Sequence, residues 1–247
     1  MAHRQYRDEN WYKATWAHRV WFAGGCTTFL ISLFKSILLI SKLPFTPRTY
    51  LPLPLSAVLG YLLADLASGI VHWAFDNYGS ARTPIFGPQI QSFLEHHQRP
   101  VEITKCETAG TAHTLAAAAT VAITPLNLFN GDPSLLAFAG VFAACSMFSV
   151  KFHAWAHLPR KKLPPLVAAL QDAGILLGPS RHAPHHRPPY KGNYCTVSGI
   201  WNRALDKSKV LPCAETALFY LTGVGPRWWS EVEADQWTQR TQMGDKI

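Results

Sequence analysis

The segment Arg181-His182-Ala183-Pro184-His185-His186 places three imidazoles at i, i+3 and i+4. In a stretch that is even briefly helical, all three project from one face. Pro184 does not prevent this, because proline is tolerated in a helix's first turn. Three other groups repeat the theme: His72 with Asp76 (H-x-x-x-D), Glu95-His96-His97, and His153 with His157 (H-x-x-x-H). Neutral imidazole is a good ligand for iron, zinc, copper or nickel. Eight histidines and a carboxylate are too many for one structural zinc, which takes four ligands, and too many for a mononuclear iron facial triad. They suffice for two metals at five or six coordination each. A histidine-rich pair of irons beside a bilayer suits oxygen activation and attack on an unactivated C–H bond of an acyl chain. Soluble di-iron bundles differ, because Glu and Glu-x-x-His dominate there.

Such clusters act together only if the chain brings them to one place, and the apolar runs between them predict how. Residues 20–41 carry one charge, Lys35, near enough to the end to snorkel. Together with 51–71, 112–130 and 134–150 they predict four transmembrane helices of roughly bilayer-spanning length. Asp65 falls inside the second span, Pro125 inside the third, and the fourth runs without a breaker into His153 and His157. Counting crossings from the N-terminus puts His72, Asp76, His96, His97, His153 and His157 on one side. His182, His185 and His186 join them if 165–178 does not cross. That stretch is too short to span and holds Asp172, so it is expected at the interface. The far side receives only connectors with Lys42 and Arg48, so the positive-inside rule makes the histidine side cytoplasm-like, the stroma in a plastid. The expected architecture is therefore an all-α integral membrane protein. It is a single domain with a histidine-rich metal-binding cap formed by 73–111 and 151–230. Residues 73–111 read as a polar loop, 213–221 as an amphipathic helix and 231–247 as a polar tail.

Composition agrees with a membrane protein carrying a sizeable polar part. Of the 247 residues, 48% are hydrophobic and only 15% charged, against a usual charged share of about a quarter. Arg4, Arg7, Lys13 and Arg19, interleaved with Trp11, Tyr12, Trp16 and Trp21, suit a headgroup layer. The net charge of +8 contains no cationic run longer than Arg160-Lys161-Lys162 and no nucleic-acid motif, so no nucleic acid is expected as partner. Attraction to anionic lipid uses the same charges. The five cysteines form no C-x-x-C pair, which argues against a disulfide framework. The first twenty residues are too polar for a cleavable secretory signal, and no organelle-targeting stretch of ordinary composition stands out. A mature form with a leader removed fits that.

Each residue also has a plainer reading. His3 and His18 are given no role. His113 opens the third span and is either a further ligand or a polar residue at a helix start. His72 alone fits a helix end, and the last cluster alone fits an exposed basic loop. Eight of eleven histidines in four short clusters on one side favour metal. Asp65 shares a helical stripe with His72 and Asp76. It either orients a ligating imidazole from behind or bonds a neighbouring helix, while Asp172, Asn193 and Asn202 are weaker candidates for such support.

The wording around these clusters resembles a known family. DLASGIVHWAFDNYGS, FLEHHQRPVEIT, KFHAWAHLPRKKLPPLVAALQDAGILL and RHAPHHRPPYKGNYCTVSGIWNRALD are similar to the Kua-type lipid desaturases, over about residues 50–230. That family includes plasmanylethanolamine desaturases and a plant plastid branch, and the plastid branch is the closer likeness. The resemblance implies metal ligation by His72, Asp76, His96, His97, His153, His157, His182, His185 and His186, all present here. It further implies two irons, a trans double bond at carbon 3 of a palmitoyl chain in phosphatidylglycerol, and ferredoxin as electron donor. It implies a chloroplast membrane, thylakoid or envelope, with the metal on the stromal side. Acyl-CoA desaturases carry H-x-x-x-x-H as their first box. Here Asp76 takes the second position, so their coordination does not transfer. Arg181, Arg187 and Tyr190 are expected near a lipid headgroup. A vinyl-ether-forming plasmanyl-lipid desaturase keeps the metal and changes the substrate. A di-iron hydroxylase and a metal-binding transporter are more distant readings.

Overall fold

Thr15 starts the first long helix with a reciprocal cap: its Oγ1 accepts from the His18 N–H at 3.2 Å, and His18 Nδ1 accepts from the Thr15 N–H at 3.3 Å. The computed structural model describes residues 9–230, all helix, turn or irregular chain with no strand among them. The tail 231–247, and Arg4 and Arg7 of the N-terminal basic-aromatic stretch, lie outside the described residues. Helices of eight residues or more are α1 (Trp16–Ile40), α2 (Pro52–Asn77), α3 (Gly87–Gln98), α4 (Thr108–Phe129), α5 (Pro133–Ala156), α6 (Pro165–Asp172) and α7 (Val210–Thr222).

Four helical stretches are long and apolar enough to cross a membrane: α1, Pro47–Asn77 (which contains α2), α4 and α5. This agrees with the expected all-helical membrane protein. The helices outrun the apolar runs that predict them. Nothing after Val71 breaks α2, so it carries His72 and Asp76 on the same rod. α5 likewise continues through His153 to Ala156. Residues 87–98, read as loop from their polarity, form α3 instead. Pro88 pre-sets the first turn, and the sequence after it holds good helix formers.

The chain forms two compact units, residues up to Leu66 with Val101–Leu163, and Ala67–Pro100 with everything from Pro164. In the first unit α1 packs on α4 and α5, and α4 packs on α5. Small residues on α5 let the helices approach: Ala139 and Ala143 meet Ile123, with Phe29, Ala119 and Leu126 around them. Phe34, Ile37, Leu55, Val121 and Leu128 stand exposed. Small residues at helix contacts with large ones outside is the pattern of helices solvated by lipid. The polar residues of this unit join one another. Ser32 Oγ bonds Asn127 Oδ1 at 2.7 Å, and Asn127 Nδ2 donates to the Thr28 carbonyl at 2.9 Å. Lys35, expected to snorkel, donates to the carbonyls of Asn127 and Asn130 at 2.7 and 2.8 Å, filling acceptors left open at the end of α4.

In the second unit the end of α2 meets α7. Trp73, Tyr194 and Leu211 form a buried cluster with Ala74, Tyr78, Leu205, Ala214 and Leu218 packed against it. Gly60 sets the spacing between α2 and α5 in the first unit, because a Cβ there would stand 2.7 Å from the Phe138 carbonyl oxygen. Main chain cannot step aside as a side chain can. Gly60→Val is therefore expected to cost about 1–3 kcal/mol, read as a lowered thermal unfolding midpoint of the detergent-purified protein against wild type.

Candidate metal centre

His72 and Asp76 stand one turn apart in the last turns of α2, and α3 ends on His96 and His97. The Pro179–His182 turn and the following 3-10 turn Ala183–His186 supply His182, His185 and His186. These seven belong to the second unit and fall into two groups. In the first, Asp76 Oδ2 lies 3.3 Å from His72 Nε2, 3.5 Å from His97 Nε2 and 3.2 Å from His185 Nε2. The Nε2 atoms of His97 and His185 are 3.0 Å apart. In the second group, the Nε2 atoms of His182 and His186 are 2.9 Å apart, and the His96 ring stands 4.8 Å from that of His186. His153 and His157, in the first unit, are neighbours at the end of α5 with ring centroids 5.1 Å apart, and His153 is buried.

The first group has the chemistry of a metal site. His72 Nδ1 is 2.8 Å from the Tyr194 carbonyl, and His185 Nδ1 is 2.8 Å from the Gly192 carbonyl. A carbonyl only accepts, so each Nδ1 carries the proton and each Nε2 presents a lone pair. Two such lone pairs and a carboxylate oxygen, buried together, repel one another unless a cation joins them. Ligand atoms about 2.1 Å from a shared ion stand roughly 3.0–3.4 Å apart, and the observed spacings of 3.0–3.5 Å match that. A set of three imidazoles and one carboxylate suits a first-row transition metal rather than calcium or magnesium, which take oxygen ligands.

The segment 190–195 makes this arrangement. Tyr190, Gly192 and Asn193 all take left-handed backbone conformations, at φ 59°, 87° and 55°. These bend the main chain so that the carbonyls of Gly192 and Tyr194 reach the two imidazoles. The segment is fastened from outside. The Asn193 N–H donates to both Asp206 carboxylate oxygens at 3.2 Å, and the Cys195 N–H to Asn202 Oδ1 at 2.9 Å. The Thr196 N–H donates to Ser68 Oγ at 2.9 Å. Burial pushes the Tyr194 phenol above its ordinary value, so it remains a donor to the Tyr190 carbonyl while accepting from Asn77 Nδ2. Burial likewise raises the Asp206 carboxyl.

The remaining candidates have defined places. Asp65 is fully buried on α2 in the first unit, and Asp172 is exposed at the end of α6. His113 stacks on His18 at 3.9 Å and its Nδ1 bonds the Gly110 carbonyl. Arg181 Nη1 donates to the carbonyls of Gly174 and Ser198 at 3.1 and 2.9 Å, bracing the turn that precedes the last histidines. Arg187 is exposed. Tyr190 lies flat on His97, 4.6 Å between centroids and 6° between planes. Two supports escape the sequence reading, and only the second leaves any local signal. Arg227 donates to the carbonyls of Phe75 and Asp76 at 3.2 and 2.6 Å and to that of Gly79, capping the end of α2 that carries His72 and Asp76. Glu215, buried, accepts from the indoles of Trp73 at 2.9 Å and Trp228 at 3.1 Å. Only its place as a lone acid among apolar residues hinted at a role.

Residues 61–229 match the lipid desaturase domain family. The chain is 47% identical over 94% of its length to Arabidopsis thaliana fatty acid desaturase 4, chloroplastic, covering 70% of that protein. It is 36% identical to a Myxococcus xanthus plasmanylethanolamine desaturase, over 77% of this chain and 69% of the relative. It is 30% identical to plasmanylethanolamine desaturase 1 of Mus musculus, over 82% and 76%. No solved structure matches the chain.

Replacing Arg227 by Gln removes the fork that holds the helix end while leaving every ligand in place. Support of this kind is worth about 10–100-fold in metal affinity. Arg227→Gln is expected to weaken cobalt(II) binding by that factor, followed by the visible absorbance of the metal-loaded protein, while His185→Ala abolishes it at this group.

Proposed function

The chain belongs to the lipid desaturase domain family, and from that premise we propose that it desaturates an acyl chain of a membrane lipid. The preferred substrate is phosphatidylglycerol, and the product a trans double bond at carbon 3 of its palmitoyl chain. The 47% identity to a relative named a chloroplastic fatty acid desaturase supports that branch of the family. The observation that carries the reading is the position of the Asp76 group. It occupies the last turns of a helix long enough to span a bilayer. At 1.5 Å per residue, Asp76 lies about 1.5 Å and His72 about 7.5 Å short of the last residue of that helix. Chemistry at such a level reaches carbons near the ester, not the methyl end of the chain.

We propose that His72, Asp76, His97 and His185 hold one iron and that His96, His182 and His186 contribute to a second, with His153 and His157 as further iron ligands, as the resemblance implies. The family match runs through both compact units, as one catalytic domain requires. Two bound irons supply reductive activation of oxygen and the power to take hydrogen from an unactivated C–H bond. The overall reaction removes two hydrogens from adjacent carbons. Oxygen, two electrons and two protons enter, and two waters leave. The residues do the rest. The carbonyls of Gly192 and Tyr194 keep the two imidazoles in the metal-binding tautomer. The Tyr190 ring covers one face of His97, and the Trp73–Tyr194–Leu211 cluster keeps water from the rear of the group. The electrons come from a soluble reduced carrier, ferredoxin in a plastid, and the metal faces the stroma at a thylakoid or envelope membrane.

The second reading, a vinyl-ether-forming plasmanyl-lipid desaturase, is favoured by the Myxococcus and mouse relatives, which carry that activity in their names. Expression of the whole chain with a ferredoxin reducing system, followed by mass spectrometry of lipids, separates the two. The expected result is trans-3-hexadecenoate in phosphatidylglycerol, lost in His153→Ala. Plasmalogens that release aldehyde on acid treatment, without that fatty acid, reverse the assignment.

A further inference from the structure

The two faces of α7 differ. Leu211, Ala214 and Leu218 join the cluster around Trp73, and Glu215 accepts the Trp73 indole. Among the described residues the other face is open: Val210 is 63% exposed, Tyr220 83% and Leu221 82%, with Val224 at 53% just beyond. Lys209, Pro212, Cys213, Thr216, Ala217 and Tyr220 line a shallow groove along it. The helix contains one acidic residue, Glu215, and that is buried on the inner side. Lys207 and Lys209 are exposed at its start, while the nearby Asp206 carboxylate is occupied by the Asn193 N–H.

Where this face sits follows from what its inner side touches. Trp73 is four residues from the end of α2, about 6 Å along the axis, on a helix long enough to span a bilayer. α7 thus packs at the level where a spanning helix leaves the hydrocarbon. A large apolar patch bordered by lysines at that depth is poorly matched to water and well matched to the boundary of headgroups and acyl chains.

We propose that the outer face of α7 lies in the headgroup boundary of an anionic membrane. Tyr220 and Leu221 enter the acyl region, and Lys207 and Lys209 meet lipid phosphates. Because α7 also holds Glu215 against Trp73, one residue from His72, the bilayer surface grips the helix that carries the Asp76 group. This assignment stands whichever lipid is desaturated.

The test uses the full chain with Cys26, Cys106 and Cys145 replaced by Ala, which leaves Cys213 exposed and Cys195 buried. A nitroxide on Cys213 is read by electron paramagnetic resonance in vesicles of phosphatidylcholine with a minority of phosphatidylglycerol. Collisions with dissolved oxygen are expected to exceed those with a water-soluble nickel chelate. The ratio should shift towards the chelate in phosphatidylcholine alone, and in Lys207→Gln/Lys209→Gln. Dominance of the chelate, or shielding from both reagents as under a second copy or another protein, overturns the proposal. A ratio indifferent to anionic lipid overturns the part assigned to the lysines. Moving the label to Leu221→Cys, with Cys213→Ser, repeats the reading if the first label disturbs folding.

Discussion

Two hydrogen bonds from imidazole to main-chain carbonyl decide what the histidine cluster is able to do. With Nδ1 of His72 on the Tyr194 carbonyl and Nδ1 of His185 on that of Gly192, both rings must present Nε2 inward. A protonation state that the solvent would otherwise set is fixed by the fold. Much of the second unit serves this end. Left-handed turns at 190–193 aim the carbonyls, and Asp206, Asn202 and Ser68 hold the loop. Arg227 and Glu215 steady the helix opposite.

The sequence made the helices and the ligands readable for different reasons. The spans are legible because twenty or so apolar residues leave little choice of structure in lipid. The candidate ligands are legible because imidazoles clustered at spacings of one to four are rare by chance. What escaped was everything that depends on chain folding back over long separations. Arg227 reaches Asp76 across 151 positions and Glu215 reaches Trp73 across 142. No local pattern announces a partner so distant. α3 escapes for a simpler reason: a helix with its apolar face narrowed to positions such as Ile90 looks as polar as a loop. Tyr190 lies flat on His97, a contact that its place beside two prolines does not announce.

The polar residues inside the first unit follow the rule that hydrocarbon imposes: what cannot be solvated must be bonded within the protein. Ser32, Thr28 and Asn127 satisfy one another, and Ser36 donates to the Pro133 carbonyl at 2.6 Å. Apolar side chains are left to face the lipid, and small ones to bring helices together. Hydrocarbon and a buried cluster of imidazoles thus impose opposite demands on one chain, and α2 meets both along its length.

Lys35 adds a consequence for biosynthesis. Its two carbonyl partners lie 92 and 95 residues further along the chain. Until α4 stands beside α1, the Lys35 ammonium lacks these two acceptors, so the two spans are expected to support each other's placement in the bilayer rather than to settle one after the other.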